Sequence, residues 1–370
     1  MSRVVLGDVA EECREKYQNN ASDPAVVGLE HLTPGDIRLK DWSSDTDTTF
    51  TKAFHKGQVL FGRRRAYLKK AAVAPVDGIC SGDITVISAK PDKILPELLP
   101  FIIQNDDFFD FAVEKSAGSL SPRAKWSHLK EYEFNLPEMD KQKELATLLW
   151  KFIDTKEAYE ELIRQTDEMV KSQFIEMFGD PVTNNHGWPT IPLREVAPEY
   201  SPKLPEADSY WWLNLDMIET YSGRLMEKVI ATPEEIGNST STFDATMVLY
   251  SKLRPYLNKV FVPDDCGYAT TELVGLRPNS KILNKYFLFN LLRGDQFVAY
   301  ANGLSSGGQM PRIPMKALRD FKCILPPMEL QEQFVETSHQ SDKSKFASQC
   351  TGKNTKEMMI CLQKKILLSR

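Results

Sequence analysis

The chain repeats itself. Shifted by 189 residues, Arg65, Tyr67, Leu68, Lys70, Val73 and Gly78 fall on Arg254, Tyr256, Leu257, Lys259, Val262 and Gly267. Farther on, Ser116, Gly118, Pro122 and Arg123 fall on Ser305, Gly307, Pro311 and Arg312. The same register carries Leu129, Leu136, Pro137, Met139 and Gln142 onto Leu318, Leu325, Pro326, Met328 and Gln331. Near the start the offset is 187, with Leu6, Val9 and Ala10 on Leu193, Val196 and Ala197, a slip of the kind that surface-loop insertions produce. Identities that include Tyr, Pro, Arg and Gly at one offset over about 80 residues mark a duplication, and any fold for this chain must be built twice.

Each copy runs in the same order. An opening strand pattern at 4–9 or 191–196 leads into loops rich in Asp, Ser, Pro and Gly. Apolar runs at 59–61, 71–74 and 84–87, with counterparts at 248–250, 260–262 and 273–276, read as strands. An amphipathic helix is expected at 95–115 and again at 283–301. A closing strand at 132–136 or 321–325 then stops at Pro137 or Pro326, just ahead of a first helical turn where proline is tolerated.

After Pro137 the apolar residues Leu145, Leu148, Leu149, Phe152, Ile153, Tyr159, Leu162, Ile163, Met169, Val170, Phe174 and Met177 share one broad helical face. Gly179-Asp180-Pro181 ends it, so a helix over 138–178 would run about 60 Å at ~1.5 Å per residue. A stripe that wide needs a partner helix, and residues from Met328 to the C-terminus supply the pattern. That second helix is the poorer one: Ser338, Ser341, Ser344 and Ser348 dilute it, and Thr351-Gly352-Lys353-Asn354 predicts a break. The expected fold is therefore α+β, with two mixed α/β modules related by a pseudo-two-fold axis and joined by two long helices in an antiparallel coiled coil. The boundaries read as 1–136, 137–179, 180–325 and 326–370.

Composition narrows the function classes. No apolar run reaches the ~18 residues of a membrane span, and the apolar stretch after Met1 is too short for a signal peptide. Six scattered cysteines, with no CxxC and no zinc spacing, read as reduced structural thiols in a cytoplasmic protein. A net charge of −5 exerts no global pull on nucleic acid, so an interface with DNA must rest on local patches. The P-loop, the amino-methyltransferase signature and a nuclease carboxylate set are all missing from the sequence. His31, His55, His128, His186 and His339 are not matched by the repeat, which points to surface or structural roles.

Two matched segments carry the binding chemistry. Arg63-Arg64-Arg65-Ala66-Tyr67-Leu68-Lys69-Lys70 has five cations in eight residues, and its mate is Lys252-Leu253-Arg254-Pro255-Tyr256-Leu257-Asn258-Lys259. Basic side chains interleaved with a tyrosine suit a phosphate backbone, the ring packing on sugar or base, although a tyrosine beside a strand is often core. The candidates from this patch are Arg63, Arg64, Arg65, Tyr67, Lys69 and Lys70, with Lys252, Arg254, Tyr256 and Lys259 in the second copy. The other segment is a Ser-x-Gly-x-x-x-Pro-Arg loop, whose small residues allow close backbone approach and whose arginine suits base edges. It contributes Ser116, Arg123 and Lys125, and Ser305, Gln309 and Arg312.

With these segments in hand, the chain resembles the specificity subunits of type I restriction-modification systems. The resemblance rests on Ser172-Gln173-Phe174-Ile175-Glu176-Met177-Phe178-Gly179-Asp180-Pro181 leading to Gly187-Trp188, on the 253–259 segment, and on Leu325-Pro326-Pro327-Met328-Glu329-Leu330-Gln331. It implies two target-recognition domains that each read half of a bipartite, asymmetric double-stranded DNA site, and a coiled coil that spaces them. It further implies no catalysis by this chain, with two methyltransferase subunits and restriction subunits as partners. S-adenosylmethionine, ATP and Mg2+ would then be bound by those partners and not by this chain. Base preference is expected to reside in loops such as 43–56 and 233–242. Two other readings remain open on the residues alone: a self-contained DNA-modifying enzyme, and a structural coiled-coil scaffold.

Overall fold

The computed structural model describes residues 2–18, 24–45, 47–117, 121–238 and 240–341. They divide into two compact units, one up to Glu160 and one from Glu161.

In the first unit Val59–Gly62 is apolar on both faces and buried throughout, so it takes a central place. It pairs antiparallel with Ile84–Ala89 on one side and Ala71–Val73 on the other, and Ala10–Cys13 completes a four-stranded sheet. A second sheet places Gly78–Cys80 between Ala25–Val27, parallel, and Lys52–Phe54, antiparallel. The second unit builds the same pieces. Val248–Ser251 lies between Val260–Phe261 and Leu273–Leu276, while Gly267–Thr270 lies between Tyr210–Leu213, parallel, and Thr240–Phe243, antiparallel. Val229–Ala231 extends that second sheet.

Each unit is closed by a strand pair formed from its two ends. Ser2–Val5 pairs antiparallel with Glu133–Leu136, and Thr190–Pro192 pairs antiparallel with Lys322–Ile324. The opening segments are shorter strands than their apolar patterns suggest. One helical turn, Leu6–Val9 or Leu193–Val196, takes over because both apolar residues of that turn, Leu6 and Val9 or Leu193 and Val196, are buried.

The single helix expected at 95–115 is two, Leu99–Ile103 and Asp106–Glu114, preceded by a short 3-10 turn. Asn105 starts a new helix by accepting a hydrogen bond from Asp107 N at 3.0 Å on its side chain. The second copy breaks at the same place, between Lys285–Arg293 and Asp295–Leu304, where Gly294 has an extended ψ of 142°. An apolar stripe alone does not register such a break, since both halves remain amphipathic.

A 40-residue helix, Met139–Phe178, follows the first closing strand. Its early residues Leu145, Leu149 and Ile153 join the core of the first unit, and Val170, Phe174 and Phe178 join the core of the second. Leu148, Leu162 and Met169 of the expected stripe are exposed. After the second closing strand, residues 328–341 are helical and Phe334 packs against Phe174 and Phe178, ring to ring. The serine-rich continuation and the expected break at 351–354 lie outside the described residues. Among the described residues no helix is long and apolar enough to cross a membrane.

Two matched polar residues bind each unit to the helix that follows it. Gln142, 2% exposed, accepts from Leu95 N at 2.8 Å and donates to the Pro137 carbonyl at 2.9 Å. Gln331, fully buried, accepts from Asn284 N at 2.9 Å and donates to the carbonyls of Pro326 at 2.8 Å and Ile282 at 3.1 Å. Two matched glycines are just as tightly placed. A Cβ on Gly78 would lie 2.2 Å from the Ala25 carbonyl oxygen, and one on Gly267 would lie 2.4 Å from that of Trp211.

Replacing Gln142 or Gln331 by leucine strands buried backbone groups, each costing about 1–3 kcal/mol. Urea unfolding of either variant is expected to show a loss of that order, and an unchanged midpoint would mean that water reaches those groups. Gly78→Ala and Gly267→Ala are expected to destabilise by about 1–3 kcal/mol through overpacking, read as a fall in the thermal midpoint.

Candidate nucleic-acid interface

The basic segments form one turn, built identically in both units. After the central strand, Arg65 adopts the left-handed region at φ 55°, a 3-10 turn runs over Ala66–Leu68, and Lys69 is left-handed at φ 51°. The second unit has Arg254 at φ 49°, Pro255–Leu257, and Asn258 at φ 47°. Left-handed backbone costs a non-glycine residue about 1–2 kcal/mol and persists only where the surroundings dictate it. Here the surroundings are backbone hydrogen bonds. Leu68 N donates to Arg65 O and Lys69 N to Ala66 O, both at 2.9 Å, with the same two bonds at 2.9 Å from Leu257 and Asn258. Buried Ala66 and Pro255 anchor the floor of the turn, while Tyr67 is 53% and Tyr256 42% exposed. The two rings belong to the surface and not to the core.

Farther along the chain, the Pro-Arg loop returns to this turn. Arg65 N donates to the Pro122 carbonyl at 2.8 Å, and Arg254 N to that of Pro311 at 2.7 Å. Ala124 N reaches Arg63 O at 2.9 Å and Ile313 N reaches Lys252 O at 3.0 Å, so a short antiparallel ladder joins the two sequence motifs in each unit. Gly118 of the first loop lies outside the described residues.

Each loop arginine is held by a carboxylate. Arg123 Nε donates to Asp83 Oδ1 at 2.8 Å, and Arg312 donates through Nη2 to Glu272 Oε1 at 2.9 Å and through Nε to Oε2 at 3.2 Å. These hydrogen bonds hold the Asp83 and Glu272 carboxyls below the usual carboxylate range. Arg64 also approaches Asp83, at 3.4 Å, and bonds Ser121 Oγ at 3.2 Å. Asp83 and Glu272 belong to no recognisable motif. Their separation, however, is the repeat's own 189 residues, and a search for matched acids would have found them.

Several of the sequence candidates are anchors. Lys70 Nζ donates to the Leu29 carbonyl at 2.7 Å, and Lys259 Nζ to that of Leu215 at 2.6 Å, where burial pushes the ammonium pKa down. Lys69 pairs with Asp106 at 2.5 Å. Ser116 and Ser305 bond back to the carbonyls of Ala112 and Ala301, both at 2.7 Å, and so finish the preceding helix. Gln309 offers its backbone carbonyl to Arg254 Nη2 at 3.3 Å. Arg65 and Lys125 are exposed and have no acidic partner among the described residues. Arg63, Lys252 and Arg254 are half-buried, and the Nε atoms of the two arginines have no hydrogen-bond partner among the described residues. The unmatched histidines sit apart: His31 accepts from Gly28 N at 2.9 Å, and His55 lies between Glu15 and Asp77 at 3.0 and 3.2 Å.

Comparison with known proteins supplies the remaining context. Curated relatives include the type I restriction enzyme EcoDI specificity subunit of Escherichia coli, 27% identical over 123 residues. That match takes in 33% of this chain and spans about a quarter (27%) of the relative's own length. The type I restriction-modification S subunit from M. genitalium is 12% identical, aligns over 100% of this chain and 96% of that one, and has a TM-score of 0.58. A chain solved in work on complex assembly and conformational transition of the type I R-M system is 19% identical over 99% of this chain and 97% of that one, at a TM-score of 0.52. Both share the fold. The sequence profile of the type I restriction modification DNA specificity domain matches residues 4–166 and 242–355, about three quarters of the chain in two segments that follow the duplication, and the chain belongs to that family.

Proposed function

We propose that this chain is the noncatalytic DNA-recognition subunit of a cytoplasmic type I restriction-modification complex, each unit contacting one half of a bipartite duplex target. The observation that carries the reading is the duplicated strained turn: Arg65 and Arg254 in left-handed backbone, each braced by a Pro-Arg loop whose arginine is held by an acid. A rigid cationic turn with an exposed ring meets a sugar-phosphate backbone at little further cost in conformational entropy. The acid-held Arg123 and Arg312 remain 45% and 47% exposed, so part of each guanidinium stays available to a base edge or a phosphate. Lys70, Lys259, Ser116 and Ser305 then serve by holding the turn and loop in shape.

In this reading adenine methylation and ATP-dependent cleavage belong to partners. Two methyltransferase subunits and restriction subunits would carry S-adenosylmethionine, ATP and Mg2+, docked along the long helix and its C-terminal counterpart, which would complete the antiparallel coiled coil.

Binding of the full-length chain to duplex DNA over a salt series tests the proposal. Arg65→Ala and Arg254→Ala are each expected to weaken binding and to lower the slope of log affinity against log salt by about one. Undiminished binding by both variants would leave the turns without a role in DNA contact. Asp83→Asn and Glu272→Gln are expected to keep or raise affinity for arbitrary duplex while narrowing the preference for a selected sequence. An unchanged preference would show that the acids do not position the arginines for reading.

A further inference from the structure

Elements that are the same in both units cannot by themselves tell two different half-sites apart, so discrimination must come from places where the units differ. One such place adjoins the strained turn of the second unit. At an offset of 186, Ala25, Val27, Leu29 and Leu32 fall on Trp211, Leu213, Leu215 and Ile218. The structure bears out that register. Ala25 and Trp211 pair with the matched glycines Gly78 and Gly267, and Leu29 and Leu215 accept from the matched lysines. Beyond Ile218 the matched Gln104 and Arg293 place Asp36 and Tyr221 opposite each other, since they donate to the carbonyls of those two residues.

Tyr221 is left-handed, at φ 67°, and Asp36 is not. Glycine meets such a turn without strain, whereas a tyrosine is strained there. The second unit therefore carries a side chain that the turn itself disfavours. That ring is 63% exposed, and its hydroxyl has no hydrogen-bond partner among the described residues, so the core gains nothing from it.

The backbone beneath the ring is nevertheless fixed from three sides. Tyr221 N donates to Leu257 O at 3.1 Å, the residue after Tyr256 in the cationic turn. Arg293, 8% exposed, donates to the Tyr221 carbonyl at 2.7 Å, and the Arg293 carbonyl accepts from Asn258 Nδ2 at 2.8 Å. Glu219 closes the turn through Arg224, by a backbone bond at 2.8 Å and an ion pair at 2.9 Å. A strained, exposed ring on a rigid mount continuous with the Arg254 turn is suited to a ligand met by that turn. We propose that Tyr221 is a specificity-determining residue of the second unit, packing its ring against a base in the half-site that this unit reads. The assignment rests on the DNA-recognition role proposed above. It adds a position outside the 43–56 and 233–242 loops.

The test uses the full-length chain and a duplex library with a randomised central segment. Wild type, Tyr221→Gly, Tyr221→Phe and Arg254→Ala are each taken through selection, then measured on the wild-type winner. Tyr221→Gly relieves the left-handed strain at this position, so its thermal midpoint should hold or rise. It is expected to bind the winner about tenfold more weakly and to lose preference at one or two positions of one half only. Tyr221→Phe keeps the ring and should select the wild-type sequence. Affinity within twofold of wild type, or weaker binding with an unchanged selected sequence, would overturn the assignment. Loss of binding in Arg254→Ala with none in Tyr221→Gly overturns this inference alone, whereas no loss in either removes the Arg254 turn from the DNA contact as well.

Discussion

The structure depends on satisfying the backbone where each module meets the helix that follows it. Where the closing strand becomes helix, peptide groups leave one hydrogen-bonding pattern before entering the next, and they do so out of reach of water. One glutamine side chain settles that junction in each copy. Gln142 bonds the chain ahead of the helix pair and the carbonyl of Pro137, and Gln331 does the same with Asn284 and Pro326. A side-chain amide donates and accepts at once, and leaving either backbone partner bare costs more than a hydrogen bond returns. The orientation of helix to module is thereby fixed by polar pairing, and apolar packing around Leu149 or Phe334 adds strength without having to set direction.

The same economy shapes the cationic turns. An exposed run of arginines and lysines would ordinarily be a mobile brush, binding any polyanion weakly. Here most of the charge is committed: Lys70 and Lys259 to carbonyls, Lys69 to Asp106, Arg123 to Asp83 and Arg312 to Glu272. What remains is a small number of cations on backbone that cannot relax. In the recognition role proposed above selectivity would benefit, since a charge held at one position favours phosphates at one spacing, whereas a flexible charge follows any of them.

The duplication was legible in the sequence, and with it the strand runs around Val59, Ile84, Val248 and Leu273, because buried central strands are apolar throughout and announce themselves. The helix breaks at Asn105 and Gly294 were not, since capping there is a side-chain choice inside an otherwise continuous apolar stripe. At the candidate interface, residue type picked out a turn that both units build alike, but not which of its members are tied down within the protein. Lysine and serine look alike whether they face a ligand or a neighbouring carbonyl, and only the carbonyls at Leu29, Leu215, Ala112 and Ala301 distinguish the two. Asp83, Glu272 and Tyr221 went unremarked because a search for DNA contacts looks for positive charge. Two of them are acids, and the third is visible only through its backbone angle.

The strand pairs that close each unit have a consequence for how such a protein changes. Ser2 lies opposite Leu136 and Thr190 opposite Ile324, so each module leaves its framework at the point where it entered. A module whose ends meet on one hydrogen-bonded ladder is a cassette. Its interior can be exchanged, lengthened or worn down loop by loop, while the glutamine-held junction sees the same two strand ends each time. Change is then confined to the interior of the module, and the junction that organises it is left intact.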